Sequence, residues 1–97
     1  MEMEKLAKLL DEANVPYEVN WLFGTKQIIY PNEAHHICDA VCHPYSYGSD
    51  RGLLEIMGLV GDDTGDDVEG YLTAEEVAER IIKHFNENKS VILPLVQ

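Results

Sequence analysis

The chain has few basic residues, few cysteines and no long apolar run. Seven Lys and Arg stand against eighteen Asp and Glu, which gives a formal charge of -11 over 97 residues. Such a field repels DNA, RNA and anionic lipid, so a reader of phosphate backbones is not expected. The same surplus suits a basic protein partner, or imitation of nucleic-acid charge. The plainer reading is a solvated acidic surface. Two cysteines are too few for a disulfide framework. Glu2, Glu4 and Lys5 interrupt any apolar leader, so no signal peptide is expected. Free thiols in a reducing cytoplasm follow. The apolar stretches fall far short of the roughly 20 residues that cross a bilayer, so no membrane partner is expected. The chain carries no G-x-S-x-G, no phosphate-binding glycine loop and no dinucleotide fingerprint. No cofactor is therefore expected. Internal repeats and low-complexity tracts are also missing.

The remaining composition, 45% apolar and 26% charged, is that of a globular domain. Residues 1–97 are read as one domain, large enough for one core without staples. Met3, Leu6, Ala7, Leu10 and Ala13 recur at helical spacing and predict a helix over 2–13. Asn14 and Pro16 end it. Tyr17, Val19 and Trp21 alternate with polar residues and predict a strand, with a turn at Phe23-Gly24-Thr25. Lys26 to Tyr30 predicts a second strand, His36 to Cys42 a third, and Leu53 to Val60 a fourth. Gly61 to Gly70, with its five acids and three glycines, reads as an exposed loop. Thr73 and Glu76 form a capping box that opens a final helix carrying Val77, Ile81 and Phe85 on one stripe. Residues 91–97, interrupted by Pro94, read as an edge strand or a tail. The expected fold is α+β. It is a two-layer sandwich, with an antiparallel sheet of about four strands and an N-terminal and a C-terminal helix on one face.

Both cysteines and three of the four histidines fall in one segment, His35 to His43. A metal site would use His35, His36, Cys38, Cys42 and His43. The spacing Cys38-x3-Cys42 is not the usual zinc pair, and no second pair follows. On a strand the two thiols stand roughly 13 Å apart, too far to share one ion. A disulfide needs Cα atoms within about 7 Å. The preferred reading is structural. His36, Cys38, Ala40 and Cys42 face one way, and Ile37, Asp39, Val41 and His43 the other. Thiol catalysis by Cys42 with the adjacent His43 is disfavoured, because neighbouring strand residues point to opposite faces.

Tyr45, Tyr47, Asp50 and Arg51 occupy a loop with two glycines beside that cluster. Tyrosine and arginine are common interface residues, so this loop is the candidate interaction site. Asp62 to Glu69 has the composition of a calcium loop but not its pattern. Asp39 and Glu55, on predicted strands, would suit a magnesium-dependent nuclease. The lysine that normally accompanies such acids is missing near Glu55, and the net charge opposes the substrate.

The runs Cys42 to Gly48, Gly52 to Gly58 and Tyr71 to Val77 together resemble a group of small uncharacterised bacterial proteins, some prophage-associated. The resemblance covers about half the chain. It implies a bacterial or phage origin, no known activity and no catalytic residue. The chain therefore reads as a non-enzymatic, acidic accessory protein of the cytoplasm that works through protein contacts. Its partner is expected to be a protein, basic in character. The chain itself is expected to be a monomer or weak homo-oligomer. The rivals are a small metal- or thiol-dependent enzyme using residues 35–43, and an acidic inhibitor that mimics nucleic acid.

Overall fold

A computed structural model describes residues 1–61 and 67–96. Five strands pair antiparallel in chain order: β1 (Glu18–Leu22), β2 (Thr25–Tyr30), β3 (Cys38–Val41), β4 (Leu54–Met57) and β5 (Val68–Leu72). Short connections make this meander the simplest path. The turn between β1 and β2 holds two residues in left-handed conformations, Phe23 at φ 52° and Gly24 at φ 77°. Two successive positive φ values match the right-handed twist of a hairpin.

Three helices complete the fold: α1 (Glu2–Glu12), α2 (Ala74–Glu87) and α3 (Lys89–Leu95). The first ends as its sequence requires, with Asn14 at φ 58°. The second starts at the expected capping box. The Thr73 hydroxyl accepts the Glu76 N–H at 3.2 Å, and the Glu76 carboxylate accepts the Thr73 N–H at 3.0 Å. Glu2 adds a contact from the other end of the chain by accepting the Ala74 N–H at 3.1 Å. The helices cover one face of the sheet. Leu6 and Leu10 of α1 and Val77, Ile81 and Phe85 of α2 share one core with Ile28, Tyr30, Cys38, Ala40, Leu54, Ile56 and Leu72. Each fully buried aliphatic or aromatic side chain contributes about 1.5–3 kcal/mol before entropy.

The α+β architecture is as expected, with three corrections. First, residues 68–72 form a fifth strand, where the sequence read a loop over 61–70. Tyr71 takes φ 59°, and the β4–β5 register shifts between Leu54 and Ile56. A strand with a glycine and a left-handed residue carries no strand signature of its own. Second, the tail is helical over 91–95, within α3. Asn88, at φ -133°, breaks away from α2, and its carbonyl accepts the Val91 and Ile92 N–H groups. Ile92 is then buried in the core. A short apolar run does not declare its own period, and Pro94 is tolerated in the last turn. Third, the third and fourth strands are shorter than their apolar runs. Ordered pairing begins at Cys38, and Gly58 at φ 84° ends β4. The five acidic-loop residues 62–66, with the cation-binding reading placed on them, lie outside the described residues. So does Gln97, at the end of the tail.

Candidate functional site

The segment 35–43 does not converge on one point. His35 is exposed, and its N–H donates to the Asn32 side chain at 2.8 Å. His36 turns to the sheet face opposite the helices, where its Nε2 lies 3.0 Å from Asp39 Oδ2. This reverses the expectation that His36 shares a face with Cys38. The strand alternation was carried two residues too far, because residues 36 and 37 precede β3. His43 packs its ring 4.9 Å from Phe23, and its Nδ1 accepts the Tyr45 N–H at 3.1 Å. The remaining histidine, His84, stands with Nδ1 2.8 Å from the hydroxyl of buried Tyr30.

Cys38 and Cys42 are free thiols on the helix side of the sheet. Burial, reinforced by the Asp39 charge, pushes the Cys38 thiol up to about 12. A thiol held neutral at pH 7 is a poor nucleophile and a poor metal ligand. Burial also raises the pKa of Cys42. Among the described residues, no group of three His, Cys, Asp or Glu side chains is placed to hold a metal ion.

Asp39 and Glu55 are likewise held by internal partners. Asp39 is buried and accepts the Gln27 amide at 2.8 Å on the oxygen that His36 approaches. Glu55 Oε2 accepts the Tyr47 N–H at 2.6 Å. Glu55 thus anchors the tyrosine loop to β4. At the far side of the sheet, Arg80 of α2 grips Glu69 of β5 through two hydrogen bonds of 2.7 and 3.0 Å. These bonds hold the Glu69 carboxyl below the usual carboxylate range.

The four loop candidates fall at the end of the sheet where the β1–β2 turn lies. Tyr45 is 77% exposed, with its ring 5.1 Å from Phe23 in an edge contact. Tyr47 is 64% exposed. Its carbonyl accepts the Tyr71 N–H at 3.2 Å. Ser49–Arg51 form one 3-10 turn between two left-handed glycines, Gly48 and Gly52, and Asp50 is exposed in it. The Arg51 guanidinium lies 5.9 Å from the centre of the Tyr71 ring.

Two glycines make this loop and β5 interlock. A Cβ at Gly48 would stand 2.8 Å from the Tyr71 nitrogen. A Cβ at Gly70 would stand 2.3 Å from the Tyr47 Cβ. Each glycine admits the other segment's backbone. The exposed rings fall in two groups, Phe23 with Tyr45 near the β1–β2 turn, and Tyr47 with Tyr71 and Arg51 at β5.

No family model, curated protein or solved structure matches the chain.

The sequence had pointed to Tyr45, Tyr47, Asp50 and Arg51 and missed Phe23 and Tyr71. A signal for Phe23 was available. A phenylalanine in a two-residue hairpin turn has no strand neighbour to bury it. Tyr71 gave no such signal, because its exposure depends on the unforeseen fifth strand.

Proposed function

We propose that this chain is a non-enzymatic accessory protein that works through protein contacts at the Tyr45–Arg51 loop, with Phe23 and Tyr71 completing the surface. The observation that carries this reading is the pair of exposed tyrosines, Tyr45 and Tyr47, on a loop fixed to the sheet, with exposed Phe23 of the β1–β2 turn against Tyr45 and exposed Tyr71 of β5 bonded to the loop. Tyrosine and arginine are enriched among the residues that dominate interface energetics. The charge of -11 favours a basic partner and opposes direct binding of nucleic acid. A cytoplasmic setting and a bacterial or prophage origin belong to the same proposal. Two free thiols favour the setting. Among the described residues, no helix is long and apolar enough to cross a membrane.

The test is affinity purification from a bacterial lysate with the wild type and Tyr47→Ala/Arg51→Ala in parallel. The expected result is a partner held by the wild type and lost from the double variant, at nearly unchanged melting temperature. Equal retention by both proteins removes the loop from consideration. A captured nucleic-acid-binding protein that dissociates steeply with salt would favour the mimic instead.

A further inference from the structure

Strand β1 is one edge of the sheet, and none of its five residues is buried. It pairs with β2 in unbroken register from Glu18↔Ile29 to Leu22↔Thr25. Residues flanking a two-residue hairpin turn exchange ladder hydrogen bonds, and bonded pairs then alternate along the strands. Glu18, Asn20 and Leu22 therefore direct their N–H and C=O groups at β2. Val19 and Trp21 direct theirs outward, where the sheet has no neighbouring strand among the described residues.

Natural edges are guarded by charged side chains, lysine above all, by proline or by a bulge. β1 carries one charge, Glu18 at its start, and no lysine, proline or bulge. The opposite edge is guarded. There the β4–β5 register is irregular, and the Tyr47 carbonyl takes the Tyr71 N–H. One edge of this sheet is closed, and the other is an open template.

The side chains around the open edge specify an occupant. Val19 and Trp21 stand opposite Ile28 and Lys26, on the helix side. Trp21 is 64% exposed and Val19 49%. Trp21 also walls an apolar crevice of about 230 Å³ with Met1, Met3 and Cys42. Acids surround this apolar strip. Glu2 and Glu4 line the crevice, and the Glu18 carboxylate accepts the Glu33 N–H on the other side of β1. Lys26 and the Met1 ammonium also line the crevice, so the acidic character comes from Glu18 and from the net charge of -11. A second copy of the chain would set -11 against -11. A cationic segment meets complementary charge instead.

We infer that β1 accepts an extended, basic segment of another protein as a sixth strand. Its alternate residues are apolar, packed on Val19 and Trp21, and basic, directed at Glu18. Backbone bonds to Val19 and Trp21 supply affinity, and the alternation supplies choice. This surface is separate from the Tyr45–Arg51 loop.

Trp21 is the chain's one tryptophan, so its emission reports on this edge. The probe is a blocked peptide of four Lys-Val repeats, with a Glu-Val peptide of equal length as control. The Lys-Val peptide should shift Trp21 emission to the blue in a saturable titration that weakens as salt rises. Val19→Pro removes an outward donor and leaves the bonds to β2 intact, as proline is tolerated at such edge positions. It should weaken the titration at least tenfold with an unchanged far-ultraviolet spectrum. If that variant does not fold, Val19→Lys keeps the backbone and should weaken binding similarly through charge repulsion. Tyr47→Ala/Arg51→Ala should bind the peptide like the wild type. Any of four results overturns the inference. These are no shift with Lys-Val, an equal shift with Glu-Val, loss of the shift in the loop variant, or a blue shift produced by protein concentration alone. The last would make a second copy the occupant.

Discussion

Replacing Gly70 with alanine should disturb the tyrosine loop and leave the helix-covered core untouched. The added methyl would lie 2.3 Å from the Tyr47 Cβ and 2.7 Å from its carbonyl oxygen. Neither atom is the free end of a flexible side chain, so the Tyr47 backbone must retreat. Overpacking of this kind costs about 1–3 kcal/mol. Retreat also stretches the 3.2 Å bond from the Tyr71 N–H to the Tyr47 carbonyl, worth about 1 kcal/mol. The lost freedom of the unfolded chain returns about 0.4–1 kcal/mol. The net expectation is a loss of about 2–3 kcal/mol. Gly24→Ala is the control. Its φ is +77°, but nothing lies within 4 Å of the new methyl. Only the left-handed backbone opposes it, at about 1–2 kcal/mol. Urea melts of both variants and the wild type, analysed with a common slope, decide the matter. A Gly70→Ala protein as stable as the wild type, or less affected than Gly24→Ala, would refute the interlock.

Four further outcomes concern other parts of the molecule. Thr73→Ala should lose about 1 kcal/mol through the cap. Phe85→Ala should lose about 3–5 kcal/mol, because Phe85 is 3% exposed. Denaturant melts giving the reverse order would show that α2 is held by its end and not by its buried face. Glu69 has its folded pKa depressed by Arg80, so the unfolded state binds its proton first as pH falls. Its contribution is complete above the unfolded carboxylate pKa near 4.5 and fades as pH drops through the lower folded value. Glu69→Gln should cost about 1–2 kcal/mol at pH 7 and flatten the acid limb of the stability profile below about pH 4.5. An acid limb as steep as that of the wild type would discount the pair. Finally, a colorimetric thiol reagent at pH 8 should modify half-buried Cys42 slowly and spare Cys38 until the protein unfolds. Prompt reaction of both thiols in the folded protein would contradict the burial that raises the Cys38 pKa.

Elements whose signals are local were legible in the sequence. Thr73 and Glu76 announced α2 because a capping box is complete within four residues. Asn14 and Pro16 end α1, and alternation around Val19 and Trp21 predicts the strand β1 but also a half-buried face, whereas both side chains are exposed at the sheet edge. Strand β5 was hidden because Gly70 and Tyr71 belong in a strand only against Tyr47, from a distant part of the chain. Helix α3 was hidden because Val91 to Leu95 fits two periods, and packing of Ile92 chooses between them. At the candidate site, composition revealed Tyr45, Tyr47 and Arg51. Phe23 is also signalled locally, by its place in the hairpin turn, whereas Tyr71 joins through the fifth strand, which no local window contains. The face of His36 is not legible locally, because it depends on where pairing begins, at Cys38 and not before.

The bond from the Ala74 N–H to Glu2 joins groups separated by 72 positions in the chain. An amide at the start of a helix usually exchanges by fraying, an event confined to its own turn. Here the donor is covered by the opening residue of another helix, and Lys5 of that helix also reaches Glu75 at 3.3 Å. Release of α1 therefore uncovers the first turn of α2. The protection of Ala74 against deuterium should follow the opening of residues 2–12 and not the strength of the Thr73 cap. For the same reason, Glu2→Ala and Thr73→Ala should not be additive. Both serve the same few unpaired amides, so a double-mutant cycle should return a coupling of about 0.5 kcal/mol or more. Helix α1 and the first turn of α2 are thus expected to open together.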